Sequence, residues 1–201
     1  MGVLPDRAEK DNQTITLRWE GPFAWPGFEQ TVGLPPIPPK PGIYLQTFEH
    51  RGGYLIYLAG ITRRPAPARF REHTRKYLNG DYNVLDVDAA QQGRRQEVWH
   101  GWGYARAHRE EFEARKQEIL EAVHRQLAGF RIFVGDVGDG PRLLERLEAA
   151  IMGCLYQQPP PICEIPDKGM FLAARRPAEP PITVRSVCSV VLHGLPAYLE
   201  V

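Results

Sequence analysis

Glu148 lies in a stretch, Leu143 to Leu155, whose apolar residues recur at helical spacing. At about 100° per residue it falls beside Leu144 and Ile151, at the edge of the apolar stripe, while Glu145 falls nearly opposite. A carboxylate at the edge of a buried face is costly unless it pairs with a cation or binds a metal. A neighbouring arginine meets that need, and so does Mg²⁺ or Mn²⁺, hard cations that take oxygen ligands and keep several waters. Arg69 and His73 are spaced i and i+4, so they share one face of an earlier predicted helix. The planar fork of Arg69 suits a phosphate, and His73 can hydrogen-bond it or move a proton; the pair also suits an ordinary exposed surface. Ile61 to Gly80 carries six basic residues, Arg63, Arg64, Arg69, Arg71, Arg75 and Lys76, against one acid, Glu72. That cluster is either a phosphate-facing patch or a solvated helix face. Tyr44 and Tyr57 add two phenols. A phenol is a poor base at its ordinary pKa of about 10 unless a metal or cation lowers it, and aromatic side chains also simply favour strands.

The elements that must position these groups are legible in part. Ile15, Leu17 and Trp19 alternate along Thr14 to Trp19, which predicts a strand. Pro35, Pro36, Pro38, Pro39 and Pro41 make Gly33 to Gly42 a stiff, extended connector. Ile43–Phe48 and Tyr54–Gly60 are aromatic and β-branched around a Gly52-Gly53 break, which predicts a β-hairpin. Pro65 and Pro67 open a helix running to about Leu78 and stopping near Asn79-Gly80. Phe70 and Tyr77 sit on a row next to Arg69 and His73 and face the core. Asp81 to Gly103 reads as one long loop, in which Trp99 and Trp102 bracket His100 and either stack on bases or anchor the loop. Ala107 to Ala128 predicts a single helix ended by Gly129, and Phe130–Val134 a third core strand. Asp139 and Pro141 open the helix of Glu148, Pro159-Pro160-Pro161 ends it, and Ile182–Leu192 predicts a closing strand.

Composition narrows the class. The chain has 201 residues, 43% apolar and 24% charged, as an ordinary globular protein does. It contains no apolar run of about 18 residues that would cross a membrane. Met1 to Asn12 is polar and mixed in charge, without the apolar core of a signal peptide, so a cytoplasmic location is expected. Cys154, Cys163 and Cys188 are too few and too scattered for a disulfide framework and include no CxxC pair, so they read as free thiols. His50, His100, His108, His124 and His193 show no metal-ligand spacing. The net charge of +1 gives no global sign of a nucleic-acid partner, which leaves the local basic cluster to carry it.

Gly42-Ile43-Tyr44, then Tyr57-Leu58-Ala59-Gly60-Ile61-Thr62, then Arg69 with His73, then Glu148 occur in that order on hairpin, helix and later helix. From about Gly42 to Pro160 this order resembles the GIY-YIG nuclease superfamily. The resemblance implies an α+β fold with a three-stranded antiparallel sheet flanked by helices, here with extra strands at both ends. It divides the chain into an N-terminal extension (1–40), a nuclease-like domain (41–160) and a C-terminal extension (161–201). It implies divalent-metal-dependent cleavage of nucleic acid, DNA more than RNA; the lack of a long apolar run separately predicts no membrane partner. Tyr44, Tyr57, Arg69 and His73 would be catalytic, Glu148 would hold Mg²⁺ or Mn²⁺, and Arg63, Arg64, Arg71, Arg75 and Lys76 would bind the nucleic acid. The chain departs from the pattern three times, first in the length of the segment between Arg69 and Glu148, which includes Asp81–Gly103. The YIG half has one extra residue, so either Tyr57 or Leu58 takes the tyrosine position. Tyr156-Gln157-Gln158-Pro159 also lacks the Asn the family often has after its Glu. These departures leave a second expectation, a binding module with the fold but not the activity.

Overall fold

The computed structural model describes residues 14–138 and 140–201. The chain begins with strand β1 (Thr14–Phe23) and one helical turn, α1 (Glu29–Val32), and the proline-rich connector follows without regular structure. Strands β2 (Gly42–His50) and β3 (Gly53–Thr62) form the hairpin, and α2 (Ala66–Leu78) follows. Next come β4 (Val84–Leu85), α3 (Val87–Gln91), β5 (Glu97–Trp99), α4 (Trp102–Ala107), α5 (Arg109–Ala114) and α6 (Lys116–Gly129). Strand β6 (Arg131–Asp136) and α7 (Pro141–Tyr156) precede β7 (Thr183–Val187), β8 (Leu192–His193) and β9 (Tyr198–Glu200).

The fold is α+β, built on a mixed seven-stranded sheet of order β8-β3-β2-β6-β1-β7-β9. The hairpin strands pair antiparallel, and β6 pairs antiparallel with β2, so the three predicted core strands share one sheet. The flanking strands extend that same sheet: β1 joins β6, β7 joins β1 in parallel, and β9 closes the edge against β7. β8 pairs with β3 at Tyr54 and Leu55, which among the described residues leaves the Gly60–Thr62 end of β3 without a neighbour on that side.

Alternation along the strands sends side chains to two cores. On one face Tyr44, Phe48, Leu55 and Tyr57 pack with Phe70 and Tyr77 of α2 and with Ile119, Val123 and Leu127 of α6. On the other face Ile43, Leu45, Ile56 and Ala59 pack with Leu144, Leu147, Ile151 and Leu155 of α7. Helices α2 and α7 therefore lie on opposite sides of the sheet.

Three expectations are corrected. Asp81–Gly103 is not a loop: β4 and β5 pair, Val84, Leu85, Ala89, Ala90 and Trp99 are buried, and the Asp86 side chain accepts the Ala89 N–H at 2.8 Å to cap α3. Its apolar residues are too few to show a period, and they are buried by contacts remote in sequence. The single helix over Ala107–Ala128 is three short pieces. His108 leaves helical geometry at φ −121° while its ring stacks on Tyr104 at 3.7 Å. Arg115 breaks the run again, and its guanidinium reaches the Val98 carbonyl at 3.1 Å. Finally, Ile182–Leu192 is not one strand, since β7 and β8 lie in different parts of the sheet, beside β1 and at the β3 edge. The expected Asp139 cap lies outside the described residues.

Candidate functional site

Tyr44, Arg69, His73 and Glu148 line one small cavity of about 80 Å³, joined there by Leu58, Gly60 and Trp102 among others. The hairpin supplies Tyr44, α2 supplies Arg69 and His73, and α7 supplies Glu148. Because α7 lies on the far side of the sheet, Glu148 reaches the cavity past the Gly60–Thr62 end of β3, on the side away from β2, where the Ile61 backbone N–H lies close to its carboxylate.

The motif glycines have steric reasons. A Cβ on Gly60 would lie 2.5 Å from the Tyr44 ring, so glycine there makes room for the phenol. Gly42 has φ +140°, and a Cβ on it would meet the Gly135 carbonyl at 2.5 Å, so glycine lets β2 start hard against β6. The extra residue of the YIG half is absorbed as a β-bulge: Gln46 pairs with Leu58 and Thr47 with Ile56, leaving Tyr57 unpaired between them. Tyr57 and Leu58 thereby both project into the α2-side core. Leu58 lines the cavity; Tyr57 does not, and its Oη lies 3.5 Å from Asp167 instead.

Tyr44 Oη and His73 Nε2 are 2.7 Å apart. Burial and the nearby Arg69 charge hold the His73 pKa down at about 3, so the imidazole is neutral. In the Nδ1–H tautomer its Nε2 accepts the phenol proton. Burial pushes the Tyr44 phenol up, with Arg69 only partly offsetting it, so no phenolate stands at rest. Arg69 touches Glu72 loosely at 3.4 Å, and its buried Nε has no hydrogen-bond partner among the described residues. Burial raises the Glu148 pKa to about 7, while Arg69 and the Ile61 N–H pull it back. Glu148 makes no ion pair among the described residues, and Glu145 is the acid that pairs with arginine, with Arg63 at 2.7 Å and Arg142 at 3.4 Å. Glu145 is thus half-buried rather than free on a solvent face.

The basic cluster divides. Arg63, Arg64 and Lys76 are occupied by Glu145, Glu72 and Asp81 at 2.7, 2.9 and 3.0 Å. Arg71 and Arg75 are exposed and make no ion pair among the described residues.

Among the described residues, no group of three or more His, Cys, Asp or Glu is placed to hold a metal ion. A lone carboxylate suits only a cation that keeps most of its waters, which is the habit of Mg²⁺. The half-buried Glu148, raised to about 7 and without an ion pair among the described residues, fits that role. Sequence reasoning missed Asp167, a buried acid that also lines the cavity, and did not place Tyr82 or Met170 there. Asp167 follows a proline-rich turn with no periodicity, so nothing local marks it. Trp102 was visible only as one of two loop tryptophans; Trp99 is core, its indole N–H donating to the Gly80 carbonyl at 2.7 Å.

Compared with protein-family models, curated proteins and solved structures, the chain matches none. Among the described residues no helix is long and apolar enough to cross a membrane.

Proposed function

We propose that the chain is a metal-dependent endonuclease of the GIY-YIG type, hydrolysing nucleic-acid phosphodiesters, DNA more than RNA, in the cavity of Tyr44, Arg69, His73 and Glu148. One observation carries the reading: four groups from β2, α2 and α7, whose helices lie on opposite faces of the sheet, meet at a single cavity. The order of strands and helices around it, and the close contacts that require glycine at Gly42 and Gly60, support the resemblance.

Phosphodiester hydrolysis needs an activated water, an acceptor for its proton and positive charge on the phosphorane. A Mg²⁺ or Mn²⁺ ion held by Glu148 would supply charge and acidify a water. Arg69 binds a non-bridging phosphate oxygen through its half-exposed guanidinium. Tyr44 Oη takes a proton from the attacking water as it passes its own to Nε2 of the neutral His73, and the imidazole, held at a pKa of about 3, does not keep that proton but passes it on to solvent. Burial keeps Tyr44 protonated, so its oxygen can take the water's proton only while giving up its own. Arg71 and Arg75 hold the flanking backbone.

The second reading, a binding module without activity, is favoured by Leu58, an aliphatic side chain where the resemblance allows a second cavity tyrosine. The two separate in a cleavage assay on a panel of linear and branched DNA and RNA with Mg²⁺ or Mn²⁺. Cleavage by the wild type and its loss in Glu148→Gln, but not in Glu145→Gln, is expected. Binding without cleavage across the panel establishes the module instead.

A further inference from the structure

A second, larger cavity of about 410 Å³ adjoins the first, sharing Trp102 and Asp167 with it. Its volume falls within the ~300–1,000 Å³ typical of small-ligand sites.

Trp102 is held there at some cost. Its backbone is left-handed, φ +55°, which bulky residues rarely adopt. Its Nε1–H is buried without an acceptor among the described residues. Gly169 packs so closely on the indole that a Cβ would lie 2.5 Å from Nε1. Strain of this kind persists only where the surroundings enforce it, and it clusters at ligand sites. The surroundings do enforce it: Trp102 N–H donates to the Asp81 carbonyl at 2.8 Å, and the Asn83 side chain accepts the Gly101 N–H at 2.7 Å.

The same Asn83 donates to Asp167 Oδ1 at 3.1 Å, so one amide fixes the indole and the carboxylate relative to each other. Oδ1 also accepts the Gly169 N–H at 3.1 Å. Among the described residues Oδ2 has only the Tyr57 hydroxyl at 3.5 Å, the outer limit of a hydrogen bond. Asp167 is buried and makes no ion pair among the described residues. A buried acceptor with spare capacity calls for a donor. Arg95 pins the segment before it, donating to the Ile165 carbonyl at 2.9 Å. Lys168, at the rim, is exposed and makes no ion pair among the described residues.

A flat apolar wall, a buried acceptor and a rim cation match the three parts of a nucleotide. We propose that this cavity is a subsite for one unpaired nucleobase beside the scissile phosphate. The base lies against the Trp102 indole with an exocyclic amine on Asp167 Oδ2, and its phosphate meets Lys168. The subsite rests on the nuclease reading for its place in a reaction, but binding can be measured without cleavage.

The test is fluorescence anisotropy in EDTA with single-stranded octamers of deoxyadenosine, of unsubstituted purine deoxynucleoside, and of abasic sugar. Stacking on an aromatic side chain is worth roughly five- to hundredfold per base, so the wild type should prefer deoxyadenosine over abasic octamers by that order. Trp102→Leu should pull the ratio towards one, and Trp102→Phe should keep most of it. Asp167→Asn should erase the several-fold preference for adenine over purine while leaving purine over abasic intact. Lys168→Ala, a surface change that does not threaten the fold, should weaken every octamer alike and lower the salt slope by about one. An unchanged base preference in Trp102→Leu, or an adenine-over-purine preference unchanged in Asp167→Asn, overturns the subsite. Cleavage by a wild type with no base preference also overturns it and leaves the nuclease reading standing. Base preference that depends on Trp102 in a protein that never cuts supports the subsite and removes the nuclease reading.

Discussion

The cavity has two walls of different origin. One is made by β2, β3 and α2, consecutive in the chain, and carries Tyr44, Leu58, Arg69 and His73. The other is assembled from remote pieces: Glu148 of α7, Trp102 at the start of α4, and Asp167 and Met170 from the irregular stretch before β7. The first wall is held by a ladder and by an aromatic core in which Tyr44 sits 4.9 Å from Phe70. The second depends on single hydrogen bonds, such as that of Asn83, and on a bent backbone at Trp102. On the proposed function, the regular wall would fix the geometry of the proton and phosphate contacts. The assembled wall would supply the charges and surfaces that select metal and substrate.

The largest expected effect breaks the regular wall's chemistry. Arg69→Ala should lower the cleavage rate by about 10²–10³-fold, as removal of one group stabilising transition-state charge does. Single-turnover rates at saturating substrate check this. A loss confined to binding would move Arg69 from chemistry to affinity.

The walls differ next in their response to pH. His73, on the regular wall, is held down at about 3 from an ordinary 6.5, so the unfolded chain binds its proton first. Stability from this group is complete above pH 6.5 and falls away as pH drops towards 3, by an amount on the order of several kcal/mol. Glu148, on the assembled wall, is raised from 4.5 to about 7. Its folded form keeps a proton that the unfolded chain releases, so its ionisation removes stability as pH rises from 4.5 to 7, by roughly 1–3 kcal/mol. The two slopes oppose each other between pH 4.5 and 6.5. Urea unfolding of Glu148→Gln should therefore expose a steeper acid loss than the wild type shows, and a gain in stability at pH 8 without metal. Parallel pH profiles for the two proteins would contradict these assignments.

Packing is the next smaller effect. Gly60→Ala places a methyl 2.5 Å from the buried Tyr44 ring. Overpacking of this kind costs about 1–3 kcal/mol, measurable as a lower urea midpoint at constant m. Gly103→Ala, beside the other wall with nothing within 4 Å of its Cβ position, should leave the midpoint nearly unchanged. The smallest effect is electrostatic. Neutralising Arg71 and Arg75 together should weaken binding on every sequence. It should also flatten the salt dependence by roughly one unit of slope for each phosphate no longer neutralised. An unchanged slope would show these two cations to be merely solvated.

The contrast between the walls also explains what was legible from the sequence alone. Ile43–Phe48, Tyr54–Gly60 and Ala66–Leu78 were readable because their partners are neighbours in the chain and their periods are strong. The phase of α7 likewise placed Glu148 at the edge of a buried stripe. Whether Tyr57 or Leu58 faces the cavity was not readable, because a bulge depends on the register between strands. Asp167 and Trp102 carried no local signal of their meeting, which is made by one buried asparagine. The breaks at His108 and Arg115 were hidden in a good helical pattern because side-chain contacts to Tyr104 and Val98 override it.

On the proposed function, the half-buried carboxylate of Glu148 makes this cavity a metal centre. Electron paramagnetic resonance of Mn²⁺ titrated into the protein at pH 8, where that carboxylate is ionised, tests this most directly. One bound Mn²⁺ per chain in the wild type and in Glu145→Gln, with none in Glu148→Gln, is the predicted result. Equal Mn²⁺ binding by the wild type and Glu148→Gln would contradict it.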